Sequence, residues 1–339
     1  MAYKKIKIAN LLSEFAASEN ASDNVAQNAN LRAFKVLMNA LGVSMREAQR
    51  LIDKGRLFCN GEVVSAKNEI LRGKIELISY ENAPRGQKPI FDNQNFAVFD
   101  KQSGILSHPN GRNCAYSLCD EIWHLYGAQA GVAHRLDRET SGLILVAKDK
   151  KTQTIFKTLF EKRLVKKEYL ALVSGQTPLE FSVDLPMNSA CDEVKTRMRL
   201  CPLSEGGKEA RTEFKRLCYF SEQDLLNLSR EIQLNKGFDF SKGASLLLAR
   251  PLTGRQHQIR LHLFASGFAI LGEPLYGLEK ADIERILDKQ MSAFERVSLT
   301  GATRLCLHSN RLAFEFGGKS YDILSQRDIR AEFLRALSL

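Results

Sequence analysis

A short apolar run, Gly142-Leu143-Ile144-Leu145-Val146-Ala147, begins where a polar, turn-prone stretch, His134-Arg135-Leu136-Asp137-Arg138-Glu139-Thr140-Ser141-Gly142, ends. The run carries no charge and is too short for a free-standing helix, so it reads as a strand buried inside a sheet. The polar stretch then becomes a loop at the entrance to that strand, where a rigid scaffold holds it in place. One carboxylate in it, Asp137, stands between Arg135 and Arg138. An aspartate with an ordinary pKa of about 3.9 is an anion near neutrality, and flanking cations keep it so. An anion facing a polyanionic ligand needs such cations for itself and for the ligand. The alternative is an ion-paired turn with no further role.

Charge favours the ligand. Lys and Arg number 49 against 39 Asp and Glu, a formal +10 with a pI near 9.2. That excess points to a polyanionic partner, nucleic acid before a membrane surface. The 339 residues are 44% hydrophobic and 26% charged, enough for one large domain and one small one with a substantial core. The seven cysteines are odd in number and form no Cys-x-x-Cys pair, which fits reduced thiols. No metal and no cofactor is expected. Lys4, Lys5 and Lys7 precede no apolar core of the secretory kind. No uninterrupted apolar run reaches the about 18 residues a membrane helix requires, so a soluble, cytoplasmic protein is expected.

Residues 1–30 read as a flexible arm with a short helix around Leu11 to Ala17. Over 31–82 the spacing predicts a compact module. Leu31, Phe34, Leu37, Met38 and Leu41 fall three and four apart, a helix over 31–41. Ser44 and Glu47 form a capping box opening a second helix that stops at Gly55. Arg46, Arg50 and Lys54 recur every four residues along it and line one stripe. Asn60-Gly61 between two apolar runs signals a hairpin, and a strand follows to Tyr80. Taken together, helix, helix, hairpin and strand resemble the S4 RNA-binding domain, in which the second helix and its following turn meet RNA phosphates. The module's own charge is modest, nine Lys and Arg against six Asp and Glu, or +3.

Residues 83–94 read as a linker, and 95–325 as a larger domain. Strands are expected at 95–100, 142–147, 166–173 and 245–249, with helices at 115–126, 149–163 and 280–297. Residues 221–243 look like an insertion or an extended hairpin, and 326–339 like a tail helix. Thr253 and Gln256 look like a second capping box, which would put Arg255 in a helix's first turn. There an unpaired cation opposes the helix dipole, so a substrate explains it better than stability does. His257 and His262 read as structural or hydrogen-bonding histidines. Strands interrupted by turns more often than by crossover helices predict an α+β chain: a small S4-like module and a large mixed, mostly antiparallel sheet with helices on its faces.

His134 to Gly142, Lys167-Glu168-Tyr169 and Gly254-Arg255-Gln256-His257-Gln258-Ile259-Arg260 follow in order, and together they resemble the RluA family of pseudouridine synthases. The resemblance implies isomerisation of uridine to pseudouridine without a cofactor. It would make Asp137 the catalytic carboxylate, with Tyr169 against the uracil and Arg260 pairing with Asp137. Arg135 would fill the gap left by a flipped-out nucleotide, and Arg138 and Arg255 would contact phosphate or position loops. Glu273, where the family commonly has aspartate, reads as lying outside the chemical centre. Ribosomal RNA of the large subunit is the favoured substrate, because of the S4-like module. Transfer RNA, and a non-catalytic RNA-binding or ribosome-assembly factor, are the alternatives; no obligate protein partner and no membrane are inferred.

Overall fold

A computed structural model describes residues 3–8, 32–80, 83–109, 114–190, 197–228 and 237–338. Most of the expected N-terminal arm, including the proposed helix at Leu11 to Ala17, lies outside these residues, as do Cys191 and part of 221–243. The chain divides into two compact units. One spans Met1–Pro84 and takes in Asn110–Tyr116, and the other comprises Arg85–Pro109 and Ser117–Leu339.

In the first unit β1 (Tyr3–Lys7) is followed by α1 (Ala33–Leu41), α2 (Met45–Asp53), β2 (Leu57–Cys59), β3 (Glu62–Val63) and β4 (Ile75–Tyr80). The strands form one sheet in the order β1-β4-β2-β3. Tyr3–Lys7 pairs antiparallel along β4, so the expected arm does not include these residues. An edge strand needs backbone partners on one side only and tolerates lysines, which is why its composition looked unstructured. The capping box at Ser44 and Glu47 forms, and Asn60 and Gly61 both take the positive φ that a tight hairpin requires. Phe34, Leu37, Ala48, Ile52, Leu57 and Leu77 share one core. Arg46, Arg50 and Lys54 are exposed on α2 and the turn after it.

The second unit opens with β5 (Phe91–Asp92), β6 (Phe96–Lys101), α3 (Leu118–Tyr126), β7 (Gly131–Val132), β8 (Ser141–Ala147) and α4 (Lys150–Glu161). There follow β9 (Lys166–Ser174), β10 (Glu180–Asp184), β11 (Met187–Ser189), β12 (Met198–Leu200), β13 (Arg211–Phe220), α5 (Glu222–Leu228) and β14 (Ala244–Pro251). The chain closes with α6 (Gln258–Ala265), α7 (Lys280–Leu287), α8 (Ala293–Thr300), β15 (Leu307–Phe316), β16 (Lys319–Leu324) and α9 (Ile329–Ala336). The main sheet runs β10-β13-β14-β9-β15-β8-β6-β5, with β16 on β15 and β7 on β8. Only β8 and β15 pair in parallel among the described strands. The expected large, mostly antiparallel sheet is therefore present.

The apolar run has a direct explanation. Ile144 and Val146 belong to one core with Phe99, Tyr169 and Ile259, whereas Leu143, Leu145 and Ala147 belong to another with Phe96, Phe156 and Phe314. Successive strand residues point to opposite faces, so a strand covered on both faces must be apolar throughout.

Three boundaries shift. Ile90 donates its N–H to Val98 O at 2.8 Å and β5 pairs with β6, so the sheet begins inside the expected linker. The described part of 221–243 holds a helix rather than a hairpin, opened where Asp224 accepts from the Ser221 N–H at 2.8 Å and the Ser221 hydroxyl at 2.7 Å. The expected tail helix is no tail: Ile329, Phe333, Ala336 and Leu337 are built into the main core. No helix among the described residues is long and apolar enough to cross a membrane.

Candidate active site

Asp137 lies in the turn between β7 and β8. Its neighbours on both sides are tied to the loop that follows β6. Ser107 Oγ donates to Leu136 O at 2.8 Å and accepts the Leu136 N–H at 3.1 Å. Gly104 N–H donates to Arg138 O at 2.8 Å, and Ser103 Oγ to Glu139 O at 2.6 Å. Lys101, fully buried, donates its ammonium to the carbonyls of Gln102 (3.0 Å), Ile105 (2.8 Å) and Arg138 (3.2 Å). Two loops thus act as one rigid mount for a single carboxylate.

The far end of the stretch is fixed by packing. Gly142 has φ +109°, and a Cβ there would stand 2.3 Å from Ser309 O and 2.5 Å from Ser309 N on β15. Ser309 pairs with Gly142 on one side and with Tyr169 of β9 on the other. The sheet therefore brings Tyr169 to the Asp137 loop although 32 positions separate them in sequence. Burial pushes the Tyr169 phenol up to about 12, and the Asp137 charge adds to that, so the hydroxyl keeps its proton at neutral pH.

Arg260 approaches from α6. One guanidinium nitrogen donates to Asp137 Oδ2 at 3.0 Å. The other two face Glu273, with Nε to Oε2 at 2.8 Å and Nη2 to Oε1 at 2.5 Å. Glu273 in turn accepts the Leu275 N–H at 3.0 Å, and the guanidinium lies over the Tyr276 ring at 5.6 Å. Such a two-sided clamp fixes the plane of the guanidinium and aims its remaining edge. Sequence places Glu273 outside the chemical centre; in the fold it lies within it, because it holds the arginine that holds the aspartate. A residue type alone carries no sign of such a partner thirteen positions away.

His257 Nε2 lies 3.6 Å from Asp137 Oδ2, with Nδ1 3.2 Å from the Tyr276 hydroxyl. Burial pushes His257 down to about 4, so it is neutral at pH 7. Burial alone would raise the Asp137 pKa, but His257 when protonated, Arg260 and Lys101 bring it below its usual value. At neutral pH the charge on Arg260 carries that effect. Burial pushes Lys101 down to about 7, against the pull of Asp137 and Glu139. The Asp137 side chain keeps 24% exposure, enough for a ligand to reach it.

The expected capping box at Thr253 and Gln256 is absent. The Thr253 hydroxyl instead donates to Gln258 Oε1 at 2.6 Å, and α6 begins at Gln258 after His257 takes φ +55°. Gln258 returns a bond to Arg211 O at 2.9 Å, so side chains from a neighbouring strand decide where the helix starts. Arg255 therefore precedes the helix, exposed, with Nε on Glu209 O at 2.9 Å. Arg138 is committed within the protein, to Leu287 O at 3.1 Å and Glu139 at 3.3 Å. Arg135 is exposed. The stripe of Arg46, Arg50 and Lys54 belongs to the other unit. Among the described residues no group of three His, Cys, Asp or Glu is placed to hold a metal.

Asp137, Tyr169 and Arg260, read separately from three motifs, thus meet in one partly open site. Residues 95–265 match the family described as RNA pseudouridylate synthase. An uncharacterized RNA pseudouridine synthase of Helicobacter pylori is 34% identical over 91% of this chain and 94% of its own length. A ribosomal large subunit pseudouridine synthase D of Nitrosomonas europaea is 32% identical over 58% of this chain and 51% of its own. A mitochondrial tRNA pseudouridine(32) synthase of Saccharomyces cerevisiae is 31% identical over 67% of this chain and 46% of its own. The solved structure of human RNA pseudouridylate synthase domain containing 1 shares the fold, with TM-score 0.51 and 20% identity over 71% of this chain and 83% of that one. Three motifs converging on one carboxylate and a family match across half the chain lead to one conclusion: the chain belongs to the RluA-type RNA pseudouridine synthases and is an enzyme that isomerises uridine in RNA.

Proposed function

We propose that Asp137 is the nucleophile, that it acts on a uridine flipped out of its RNA, and that the RNA is large-subunit ribosomal RNA. Asp137 forms a transient bond to the ribose or the base that is released again before product leaves. N1–C1′ breaks, the base turns, C5 joins C1′, the C5 proton departs and a proton is added at N1. The reaction needs no redox change and no external energy. The observation that carries this reading is the Arg260 guanidinium, held by Glu273 and donating to Asp137 at 3.0 Å. A fixed cation keeps the carboxylate ionised and aimed before substrate arrives, so little reorganisation is left for the reaction itself. Tyr169 lies against the uracil, and its protonated hydroxyl is available for relaying the C5 proton. Flipping the nucleotide costs a few kcal/mol. Arg135 offsets part of that by occupying the gap, and Arg255 adds a phosphate contact.

The first unit is an S4-like RNA-binding module, with Arg46, Arg50 and Lys54 on phosphate. Burial lowers the Lys54 pKa, and the nearby charges of Arg56 and Arg50 add to it. That module and the relative named for the large ribosomal subunit favour ribosomal RNA. The yeast relative supports transfer RNA as the second reading, with the same chemistry. Both RNAs, transcribed without modification and tritiated at uracil C5, test the substrate by tritium release. Asp137→Asn is expected to lose release while still binding RNA. Turnover by that variant overturns the nucleophile, and release from transfer RNA alone overturns the ribosomal target.

A further inference from the structure

Beside the Asp137 loop lies a cavity of about 490 Å³ that the chemistry above leaves unused. His108, Trp123, His134, Arg135, Lys150 and Gln153 are the charged, amide and ring-bearing residues of its wall. The floor is stiff. β7 pairs with β8, Ala133 N–H donates to Leu145 O at 2.7 Å, and Leu145 N–H donates to His134 Nε2 at 3.1 Å. The Trp123 indole N–H is bonded to Ala130 O at 3.1 Å, which fixes the ring as part of the wall.

The wall's chemistry is selective. Arg135 and Lys150 are cations, and the described lining residues include no Asp or Glu. Burial, then Arg135, lowers the His108 pKa, so this imidazole is neutral at pH 7 and can donate or accept a hydrogen bond. Gln153 offers both an amide donor and an acceptor. A flat aromatic wall, two cations and neutral hydrogen-bonding groups match a planar base attached to a phosphate. The volume falls in the range of about 300–1,000 Å³ that holds one small-molecule-sized group. Continuity supplies the source: Arg135 belongs to both the cavity and the Asp137 loop, two residues from the carboxylate.

The geometry points to this cavity as a subsite for a second, unpaired nucleotide of the substrate RNA, next to the target uridine. Its base packs on Trp123, and its phosphate meets Lys150, while Arg135 stands at the boundary with the target nucleotide. The assignment rests on the pseudouridine synthase reading, and it makes the local shape of the RNA, two adjacent unstacked nucleotides, part of what the enzyme selects.

Trp123 is the chain's only tryptophan, so its fluorescence reports this cavity directly. The full-length Asp137→Asn protein is titrated with a single-stranded uridine-containing RNA and, separately, with uridine monophosphate. Quenching by the RNA at concentrations where the monophosphate gives none is expected. Equal quenching by both assigns the cavity to free nucleotides and overturns the RNA subsite. Lys150→Glu and Gln153→Ala, both at positions off the core, are expected to weaken the quenching by about tenfold in RNA concentration and to raise KM for tritium release. Unchanged quenching and KM in both variants overturn the proposal, whereas turnover by Asp137→Asn overturns only the nucleophile.

Discussion

The Asp137 site and the cationic stripe on α2 put charge to opposite uses. Asp137 is held from several sides: three lysine-to-carbonyl bonds and a serine that both donates and accepts fix its loop, and a clamped arginine fixes its carboxylate. Arg46, Arg50 and Lys54 stand exposed, on side chains that water and salt screen. Interactions of the first kind depend on direction and act together, so removing one member disturbs the rest. Those of the second kind add up, and each is small. The contrast separates directed contacts from additive ones, and it can be broken in several places.

The largest effect is expected from Arg260→Gln. It leaves Asp137 and Glu273 as buried carboxylates without their shared cation, a change that costs about 3–5 kcal/mol in a buried pair. Thermal unfolding should fall by several degrees, and turnover by about a hundredfold or more. Near-normal turnover with lowered stability would mean the arginine is structural only.

Lys101→Met tests whether the two-loop mount matters to rate. It keeps the volume and removes the donors, so kcat should drop by about ten- to a hundredfold through misplacement of Asp137, with KM little changed. A stability readout accompanies it. A lysine whose folded pKa is near 7 and whose unfolded pKa is near 10.4 binds fewer protons folded than unfolded between those values. Wild type should therefore gain stability relative to Lys101→Met as pH rises from 7 to 9. A parallel pair of curves would show that this lysine is not titrating there.

Acid should do little to the chemical step. The Asp137 pKa is lowered in the folded protein, so its stabilising contribution is present above the unfolded value of about 3.9 and is lost only as pH falls through the lower folded one. Turnover at saturating RNA should stay flat from pH 7 to 5. An acid limb in that window would place the carboxylate's pKa above its ordinary value.

The smallest effect per residue is expected on the exposed face. Replacing Arg46, Arg50 and Lys54 with alanine together should leave kcat intact, weaken RNA binding and reduce the salt slope of affinity by about two. An unchanged slope would show that this face does not meet phosphate.

The two regions also differ in how much sequence disclosed. The α2 stripe, its capping box and the Asn60-Gly61 hairpin depend on neighbours within a few positions, and all three appear where spacing placed them. The buried strand after Asp137 was equally legible, because two covered faces leave an apolar run. Glu273 and Lys101 were not, whereas His257 is the hydrogen-bonding histidine its sequence suggests, without its partner being readable. Their roles arise from contacts across the fold, and nothing in a local pattern marks a glutamate as an arginine's clamp. A lysine closing an otherwise buried strand was the one usable sign, since burying an ammonium demands partners. The start of α6 was misread for a similar reason: Gln258 answers to Arg211 on another strand.

Gly142 has a consequence for tuning. Its hydrogen lies where any larger group would drive into the backbone of Ser309, whose other flank is Tyr169. The close pairing of β8 with β15, next to both the Asp137 loop and Tyr169, thus leaves no room for a side chain at this position. A single carbon atom at position 142 would push β15 off β8 and, through Ser309, disturb the strand that carries Tyr169.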